Sequence, residues 1–304
     1  MTLATHAPLS ANQCDVFAQE GVLLARALLD PSALTGIKQD LTAAIDRRAR
    51  QLLAAGAITD LHQDAPFAQR YGLLMAQSPA IQDGFDVVPL YGRALFAFFH
   101  HPVLLEALSQ LIGPELSLNP IHHIRAKPPQ AQTAESVKGY FSVPWHQDSG
   151  VTVAEADASQ IITVWLPLED ATEEMGCLQV LPGAHRLGHL THVATPGYGT
   201  SIRAEDMPRI TPRRMPMVAG DVLFMHRHCP HHSTPNRSSV CRWSLDCRFH
   251  ATGDNSGRPW QPEVPVRSLA DPASVRADHS AWVASWQACL ERGDGRTVHR
   301  VAAS

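Results

Sequence analysis

Two short segments of this chain carry metal-binding residue types at spacings that suit a single site. The first is the run WHQD, which contains the pair His146 and Asp148, and the second begins at His231. Residues two apart on a β-strand point to the same face, so this spacing predicts that His146 and Asp148 converge from one strand. A third imidazole from another strand would leave one side of the metal open. Two histidines and one carboxylate in this arrangement are typical of non-haem Fe(II) sites.

The sequence leaves other readings of these histidines open. Histidine is common here, with 17 in 304 residues, and a single histidine is more often a hydrogen-bonded core or surface residue than a ligand. Cys229, Cys241 and Cys247 lie close to the distal histidines and raise a structural zinc site as an alternative. Against zinc, the chain contains no Cys-x-x-Cys, and a free cysteine inside an apolar strand is ordinary.

A third chemical feature is an arginine in a predicted strand, residues 241–249. Strand alternation puts Arg242 on one face, and the opposite face is apolar. The face of Arg242 also carries Ser244, Asp246 and Arg248. Charged residues are rarely buried unless they are paired or bind a ligand, so an inward Arg242 needs an anionic partner. The planar guanidinium suits a carboxylate, because it can donate to both oxygens at once.

Composition restricts the broad class of protein. Hydrophobic residues make up 44% and charged residues 18% of the chain, as in ordinary soluble globular proteins. The formal net charge of −4 gives no support for a nucleic-acid or anionic-membrane partner. We see no apolar run of transmembrane length and no secretory signal. Six scattered cysteines indicate free thiols in a reducing compartment. We therefore expect a cytoplasmic protein without a membrane or nucleic-acid partner, either a monomer or a homodimer.

The order of the predicted elements indicates an α+β chain. Residues 1–113 look mainly helical, with apolar residues at helical spacing from Leu34 to Leu52 and a second helix from Pro102. Between 114 and 250 the pattern changes to short strands separated by turns. The predicted strands are 121–127, 160–168, 178–181, 221–226 and 241–249. Helices followed by many strands favour one domain over 1–304, with a double-stranded β-helix (jelly-roll, cupin-like) core and flanking helices.

Two further segments complete this organisation. Residues 191–214 are polar and too long for a simple turn, so we interpret them as a loop or lid over the site. The tail, 251–304, contains one more predicted helix near 278–292.

Taken in order, these segments resemble the phytanoyl-CoA dioxygenase family of Fe(II)/2-oxoglutarate oxygenases. The resemblance runs from about residue 13 to 250. It includes FAQEGVLL (17–24), KPP (127–129), WHQD (145–148), VWLPL (164–168), GCLQVLPGAH (176–185), AGD (219–221), His231-x-Ser233, Asn236 and Arg242. It implies a metal site of His146, Asp148 and His231. His232 departs from the family, which often has a small residue there, but the His-x-Ser spacing favours His231.

The resemblance also implies the cosubstrates, which are 2-oxoglutarate and O2. Arg242 would bind the distal carboxylate of 2-oxoglutarate, with the hydroxyl of Ser233 assisting. Positions matching Lys127 and Trp165 line the same pocket in the family. The alternatives are a solvated strand end for Lys127 and a core aromatic for Trp165.

The implied reaction is hydroxylation, or a related oxidation, of an unactivated C–H bond, with release of succinate and CO2. Relatives that chlorinate have a small residue in place of the metal-binding aspartate, so Asp148 favours hydroxylation. The chain shows no basic cluster for a CoA phosphate tail, which favours a free small molecule over an acyl-CoA substrate. His123 and Arg125 share a predicted strand face with Lys127 and are candidate substrate-binding residues. A metal-dependent jelly-roll hydrolase and a non-catalytic binding protein are the alternatives outside the oxygenases.

Overall fold

The computed structural model describes residues 8–83, 92–133, 141, 143–195 and 199–302. Its described helices cluster before residue 113 and again near the C-terminal end, as the sequence predicts. They are α1 (Ala11–Glu20), α2 (Thr35–Ala54), α3 (Phe67–Gln77), α4 (Arg93–Phe99), α5 (Pro102–Ile112) and α6 (His279–Glu291). The three helices predicted from periodicity correspond to α2, α5 and α6.

The described strands follow mainly after α5. They are β1 (Val22–Ala25), β2 (Leu116–Lys127), β3 (Ile161–Pro167), β4 (Leu178–Val180), β5 (His192–Thr195), β6 (Gly199–Ile202), β7 (Arg213–Met215), β8 (Val222–His226), β9 (His231–Ser233), β10 (Arg242–Ala251) and β11 (Val264–Arg267). All five predicted strands are present. The sequence analysis missed β1, which lies inside the part predicted to be mainly helical, and the short strands β7, β9 and β11.

Two antiparallel sheets build the jelly-roll core. The larger sheet has the strand order β1-β8-β3-β10-β2-β11, and the smaller one has the order β7-β4-β9. Neighbours in both sheets are often far apart in the chain, which is the crossed connectivity of a jelly roll. The predicted α+β fold with a double-stranded β-helix core is therefore confirmed.

Strand β2 starts at Leu116, five residues earlier than predicted. The prediction began the strand after Pro120, whereas the observed strand continues through this proline. Proline lacks an N–H and is tolerated inside a sheet at a bulge. The pairing of β2 with β10 shifts register at this point, between Cys247 and Phe249. The side chain of Asn119 replaces a ladder partner, since its Oδ1 accepts from the Ile121 N–H at 3.0 Å.

The two faces of β10 separate the packed core from the cavity. Its apolar face lies in the main hydrophobic core, where Trp243 contacts the ring of Tyr71 edge-on at 5.1 Å and stacks on Phe67 at 5.6 Å. Both partners lie in α3, so the N-terminal helices cover the face of the larger sheet that carries Trp243. The opposite face of β10, with Arg242 and its strand neighbours, turns towards the space between the two sheets. Predicted alternation along this strand is confirmed.

The segment 191–214 is more ordered than a simple loop. It contains the antiparallel hairpin strands β5 and β6, and residues 196–198, which separate them in the sequence, lie outside the described residues. The hairpin packs beside the candidate metal-binding segment, since the Ile202 N–H donates to the Trp145 carbonyl at 2.8 Å. Part of the segment that the sequence indicated as a loop or lid thus forms paired strands, because backbone pairing satisfies its polar groups, and the lid stays a prediction.

One stretch, Arg93–Ile112, is long and apolar enough to count as a candidate membrane span, contrary to the sequence expectation. In the structure it forms two helices, α4 and α5, that break at His100 and His101. Leu95, Phe99, Leu104 and Leu108 of these helices are buried in the main core. Its apolar character is thus accounted for by core packing.

Candidate metal centre

His146 and Asp148 do not share a strand, contrary to the prediction. His146 forms a single antiparallel bridge with His231, through backbone hydrogen bonds of 3.0 and 2.9 Å. After Gln147 the chain turns, and Asp148 begins the 3-10 helix Asp148–Val151. The turn is held by the bond from the Ser149 N–H to the Arg227 carbonyl at 3.1 Å.

The side chains nevertheless converge. The potential ligand atoms of His146, Asp148 and His231 all lie within 4.8 Å of one another, and in the described part of the chain they are the one such group. Nδ1 of His146 lies 2.9 Å from the Pro144 carbonyl, and Nδ1 of His231 lies 3.0 Å from the Cys229 carbonyl. A carbonyl only accepts, so each Nδ1 carries the hydrogen and each Nε2 presents a lone pair. Metal-bound histidines are typically oriented by such a bond.

The adjacent His232 lies on the other face of β9. Its Nε2 is 2.8 Å from Oε1 of Gln179 on β4, and its ring packs on Trp145 with 4.1 Å between centroids. Successive residues of β9 thus point to opposite faces, and His231, which the His-x-Ser spacing favoured, is the one that faces His146 and Asp148.

Both carboxylate oxygens of Asp148 have partners that the sequence analysis did not identify. Arg248 on β10 donates to Oδ1, and the hydroxyl of Thr163 on β3 donates to Oδ2. Arg248 and Thr163 lie opposite each other on the neighbouring strands β10 and β3 of the larger sheet. One cross-strand pair therefore binds both oxygens of the carboxylate. Burial opposes ionisation of Asp148, but the charge of Arg248 holds its pKa well below the usual range. The carboxylate is thereby kept in the anionic form that binds metals.

Burial acts in the opposite direction on the imidazole of His146. Removal from water, together with the nearby His231, lowers the pKa of His146 to about 3. The ring is therefore neutral at physiological pH, which is the protonation state that a metal ligand requires.

The loop that carries Asp148 is supported from outside by the C-terminal segment. The Arg300 N–H donates to the carbonyl of Gly150 at 2.8 Å. The guanidinium of Arg300 makes two bonds to Asp157, of 2.6 and 3.0 Å, and Asp157 also accepts from Arg227 at 3.1 Å. This C-terminal strap (residues 300–302) thus fixes the outer side of the segment that presents the carboxylate.

A second set of inward residues begins with Arg242, at the start of β10. Its Nη1 donates to the Gly176 carbonyl at 2.7 Å, and its guanidinium lies over the Trp165 ring, 5.2 Å from the centroid. The side chain is buried, and among the described residues its Nε has no hydrogen-bond partner. A buried donor without a partner is costly, so this guanidinium is suited to receive an anion.

Lys127 lies beside Arg242, opposite it in the β2–β10 pairing. Its Nζ donates to Oγ of Ser233 at 2.8 Å and to the Thr234 carbonyl at 2.7 Å. Burial, and then the charge of Arg242, lowers the pKa of Lys127 to about 6. Of the four residues expected around a dicarboxylate, Arg242, Ser233 and Trp165 line the cavity, and Lys127 lies behind them, bonded to Ser233.

Of the two candidate substrate-binding residues, Arg125 lines the cavity and His123 does not. Arg125 lines the cavity and donates from Nε to Oδ2 of Asp246 at 3.1 Å. His123 lies opposite Asp246 in the strand pairing, but it is not among the residues that line the cavity. The cavity has a volume of about 50 Å³, and the described residues that line it are Arg125, Val143, His146, Asp148, Thr163, Trp165, Leu178, Met225, His231, Ser233, Arg242, Asp246 and Arg248.

A jelly roll with this donor group between its sheets has the fold of the non-haem, 2-oxoglutarate-dependent oxygenases. The structure of the non-haem monooxygenase ThoJ superposes with a TM-score of 0.62 at 20% identity, covering 92% of this chain and 95% of that one. The epimerase SnoN from nogalamycin biosynthesis, in complex with Fe3+ and α-ketoglutarate, gives a TM-score of 0.54 at 18% identity, covering 81% and 86%.

Sequence comparison then identifies the family. The model of the phytanoyl-CoA dioxygenase (PhyH) family matches residues 17–244, and the chain belongs to this family. This family uses Fe(II) as its cofactor and 2-oxoglutarate and O2 as its cosubstrates.

Individual relatives match over shorter stretches. The 1-deoxypentalenic acid 11-beta-hydroxylase of Streptomyces exfoliatus is 29% identical over 178 residues, which is 53% of this chain and 60% of that protein. The peroxisomal phytanoyl-CoA dioxygenase of Homo sapiens is 26% identical over 165 residues, or 52% and 46%. The methylphosphonate hydroxylase of Gimesia maris is 32% identical over 97 residues, or 32% and 36%. The matches span 60% or less of the length of each of these relatives.

Proposed function

We propose that this protein is an Fe(II)/2-oxoglutarate-dependent dioxygenase that hydroxylates, or otherwise oxidises, a C–H bond of a small molecule, with release of succinate and CO2. The observation that carries the proposal is the convergence of His146, Asp148 and His231 in one cavity with a buried, incompletely bonded Arg242. A metal site alone would suit several reactions. The guanidinium adds a position for a dicarboxylate at a defined place in the same cavity.

His146, Asp148 and His231 would hold the Fe(II). The donor set fits the ion, because two neutral imidazoles and one carboxylate are the protein ligands of non-haem iron oxygenases. The three side chains come from the segment between Pro144 and Asp148 and from β9, so they approach from one side. The other side of the metal position faces the cavity, where cosubstrate and O2 would bind.

Arg242 would bind the distal carboxylate of 2-oxoglutarate, with Ser233 as a second donor. Lys127 would add a charge at the same end of the cavity, since its Nζ already lies 2.8 Å from Oγ of Ser233. Trp165 would form the wall against which the cosubstrate chain packs, and its ring keeps the guanidinium in place.

Iron bound with 2-oxoglutarate and O2 supplies the oxidising power to attack an unactivated C–H bond. The chain contributes orientation and exclusion of water. Thr163 and Arg248 keep the Asp148 carboxylate in one orientation. Because Asp148 occupies its position as a ligand, no halide site is open there, which favours hydroxylation over halogenation.

The substrate would be a small molecule that enters past Arg125, with His123 as a more distant candidate contact. Two relatives are named as hydroxylases of small molecules, 1-deoxypentalenic acid and methylphosphonate. The alternative is an acyl-CoA substrate of the phytanoyl-CoA type. We further infer a single domain over 1–304, present as monomer or homodimer in the cytoplasm, with no nucleic-acid or membrane partner. The free state of all six thiols supports a reducing compartment.

The test is anaerobic addition of Fe(II) and then 2-oxoglutarate to the purified protein, followed by visible spectroscopy. Chelation of Fe(II) by 2-oxoglutarate gives a weak metal-to-ligand charge-transfer band, which a zinc hydrolase or a binding protein would lack. His146→Ala should abolish the band, and His232→Ala should leave it in place. Absence of the band in the unmodified protein, at saturating Fe(II) and 2-oxoglutarate, would refute the proposal.

A further inference from the structure

Lys127 differs from the other lysines of the chain in its surroundings. The chain has three, namely Lys38, Lys127 and Lys138. Lys38 is partly exposed and forms an ion pair with Glu169 at 4.0 Å, and Lys138 lies outside the described residues. Lys127 is buried, and no carboxylate among the described residues pairs with it. Burial without an acidic partner favours the neutral form of an amine.

The hydrogen bonds of Lys127 match a neutral amine. Its Nζ donates to Oγ of Ser233 at 2.8 Å and to the carbonyl of Thr234 at 2.7 Å, and the described part of the chain provides no third acceptor. An ammonium has three N–H donors, whereas a neutral amine has two donors and a lone pair. The two acceptors therefore satisfy the neutral form and leave its lone pair available. A desolvated lysine beside another cation is a nucleophile of this kind.

Arg242 is the charge that acts on this amine. It lies opposite Lys127 in the β2–β10 pairing, and burial, followed by the charge of Arg242, lowers the pKa of Lys127 to about 6. At pH 7.5 the amine is therefore mostly unprotonated, whereas an ordinary lysine has roughly one unprotonated amine in a thousand. The guanidinium that disfavours an ammonium here would stabilise an anion formed on Nζ. Its own Nε is buried and has no hydrogen-bond partner among the described residues.

Lys127 lies between two cavities. Ser233, which accepts its hydrogen bond, lines the metal cavity, and Lys127 itself lines a second cavity of about 30 Å³. This volume exceeds the roughly 10–15 Å³ that a single water needs. Pro128, Phe141 and Pro235 form part of its wall. The second cavity therefore suits a small uncharged molecule that has to reach Nζ.

We propose that Nζ of Lys127 reacts reversibly with CO2, and that the resulting carbamate pairs with Arg242 and excludes 2-oxoglutarate. The lone pair of Nζ forms the new N–C bond, the electrons of one C=O bond of CO2 move to its oxygen, and one proton of the amine leaves to solvent. No atom is oxidised or reduced. The modification itself needs no metal, but its competition with 2-oxoglutarate rests on the proposed function, of which CO2 is a product.

Carbamate formation and 2-oxoglutarate binding would exclude each other for two reasons. Both anions need the guanidinium of Arg242. A bound dicarboxylate also favours the protonated amine of Lys127, and an ammonium has no lone pair for CO2. CO2 would therefore act as a product inhibitor that competes with 2-oxoglutarate.

The experiment is 13C NMR of the metal-free protein, equilibrated with millimolar 13C-labelled bicarbonate at pH 7.5. Carbamate carbons resonate apart from bicarbonate and CO2, so each reactive amine gives its own signal. The α-amino group, with an ordinary pKa of about 7.7–8.0, is an internal positive control. We expect a second carbamate signal of similar size from Lys127. Lys38 and Lys138 should each give at most about a tenth of that intensity, because an ordinary lysine is almost fully protonated at this pH.

The matched variants are Lys127→Arg and Lys38→Arg, which keep a positive charge but remove the amine. Lys127→Arg should lose the second signal, and Lys38→Arg should retain it. Arg242→Gln removes the cation that stabilises the carbamate and should weaken the signal about tenfold. Zn(II) with saturating 2-oxoglutarate should remove the signal from the parent protein.

The outcomes separate this inference from the proposed function. A parent spectrum with the α-amino signal alone would overturn the inference, and so would a second signal that survives in Lys127→Arg. Suppose that a parallel Fe(II) sample shows the charge-transfer band, but the signal of Lys127 persists with 2-oxoglutarate present. The proposed function then stands, and the pairing of the carbamate with Arg242 is overturned. If the band does not form, the proposed function fails, and the signals of Lys127→Arg and Arg242→Gln alone decide the carbamate.

Discussion

Lys127 gives the sharpest prediction, because its protonation state should change when 2-oxoglutarate binds. In the free protein, burial and the neighbouring Arg242 lower the pKa of Lys127 to about 6, so the amine is neutral at pH 8. A dicarboxylate bound at Arg242 and Ser233 would bring a negative charge close to this amine. Opposite charge favours the protonated form, so the pKa of Lys127 should return towards the ordinary lysine value in the complex. Binding of 2-oxoglutarate at pH 8 should therefore take up close to one proton.

The sign and size of the pH dependence follow from this shift. Only the protonated amine of Lys127 favours the ligand. The affinity for 2-oxoglutarate is therefore highest at pH values below the pKa of Lys127 in the free protein, and it falls as the pH rises above that pKa. Each unit of pH then weakens binding about tenfold, or about 1.4 kcal/mol, until the pKa of the complex is reached. Between pH 7 and pH 9 we expect the Kd for 2-oxoglutarate to rise about a hundredfold.

Calorimetric titration in two buffers of different ionisation enthalpy measures the proton uptake directly. With Zn(II) in place of Fe(II), the experiment needs no exclusion of oxygen. Lys127→Met removes the titrating group, so the pH slope should vanish and the affinity should stay at the weak, high-pH level. Lys127→Arg keeps a charge at all these pH values and should bind tightly without a slope. Proton uptake near zero at pH 8, or an unchanged slope in Lys127→Met, would refute the reasoning.

Three further predictions concern the metal and cosubstrate positions. His231→Ala should abolish Fe(II) binding in an anaerobic equilibrium titration, whereas His232→Ala should leave it nearly unchanged; the reverse result would show that the distal ligand has been misassigned. Arg242→Ala should raise the Kd for 2-oxoglutarate at least tenfold, since about 1.5–3 kcal/mol of charged hydrogen bonding is lost, while Fe(II) affinity stays the same. An unchanged Kd would contradict that assignment. Thr163→Val, which removes one hydrogen bond from the carboxylate ligand, should weaken Fe(II) binding about tenfold with 2-oxoglutarate affinity per loaded site preserved; equal Fe(II) affinity in both proteins would mean that the bond does not orient the ligand.

The period-two pattern explains why part of the site could be read from the sequence. Along β10 the alternation of polar and apolar residues placed Arg242 and Arg248 on one face and Trp243 in the core, and the structure agrees. Along β2 it placed Lys127 and Arg125 together. Side-chain direction in a strand depends only on backbone geometry, so these inferences needed no knowledge of the neighbouring strands.

What the sequence could not provide was pairing between distant segments. The turn after Gln147 depends on a bond to the carbonyl of Arg227, and the partners of Asp148 depend on the register that sets Arg248 opposite Thr163. Neither fact is encoded in a local pattern. The prediction of one strand carrying both His146 and Asp148 failed for this reason, although their side chains meet as expected. Similarly, the pattern grouped His123 with Arg125 without distinguishing which of them lines the cavity.

The C-terminal strap has a consequence for how the protein responds to its metal. Arg300 bonds to Gly150 and Asp157, and Gly150 is two residues from Asp148, so docking of the strap and ordering of the metal loop stabilise each other. Coupling of this kind is reciprocal by thermodynamic necessity: a metal that orders the loop must also lower the population in which the strap is undocked. We therefore expect carboxypeptidase to trim the chain past Arg300 more slowly in the presence of Fe(II) or Zn(II), as measured by mass spectrometry over time. Equal trimming rates with and without metal would show that the two are independent. Susceptibility of the chain end to digestion would then report, without any assay of turnover, how much of a preparation contains its metal.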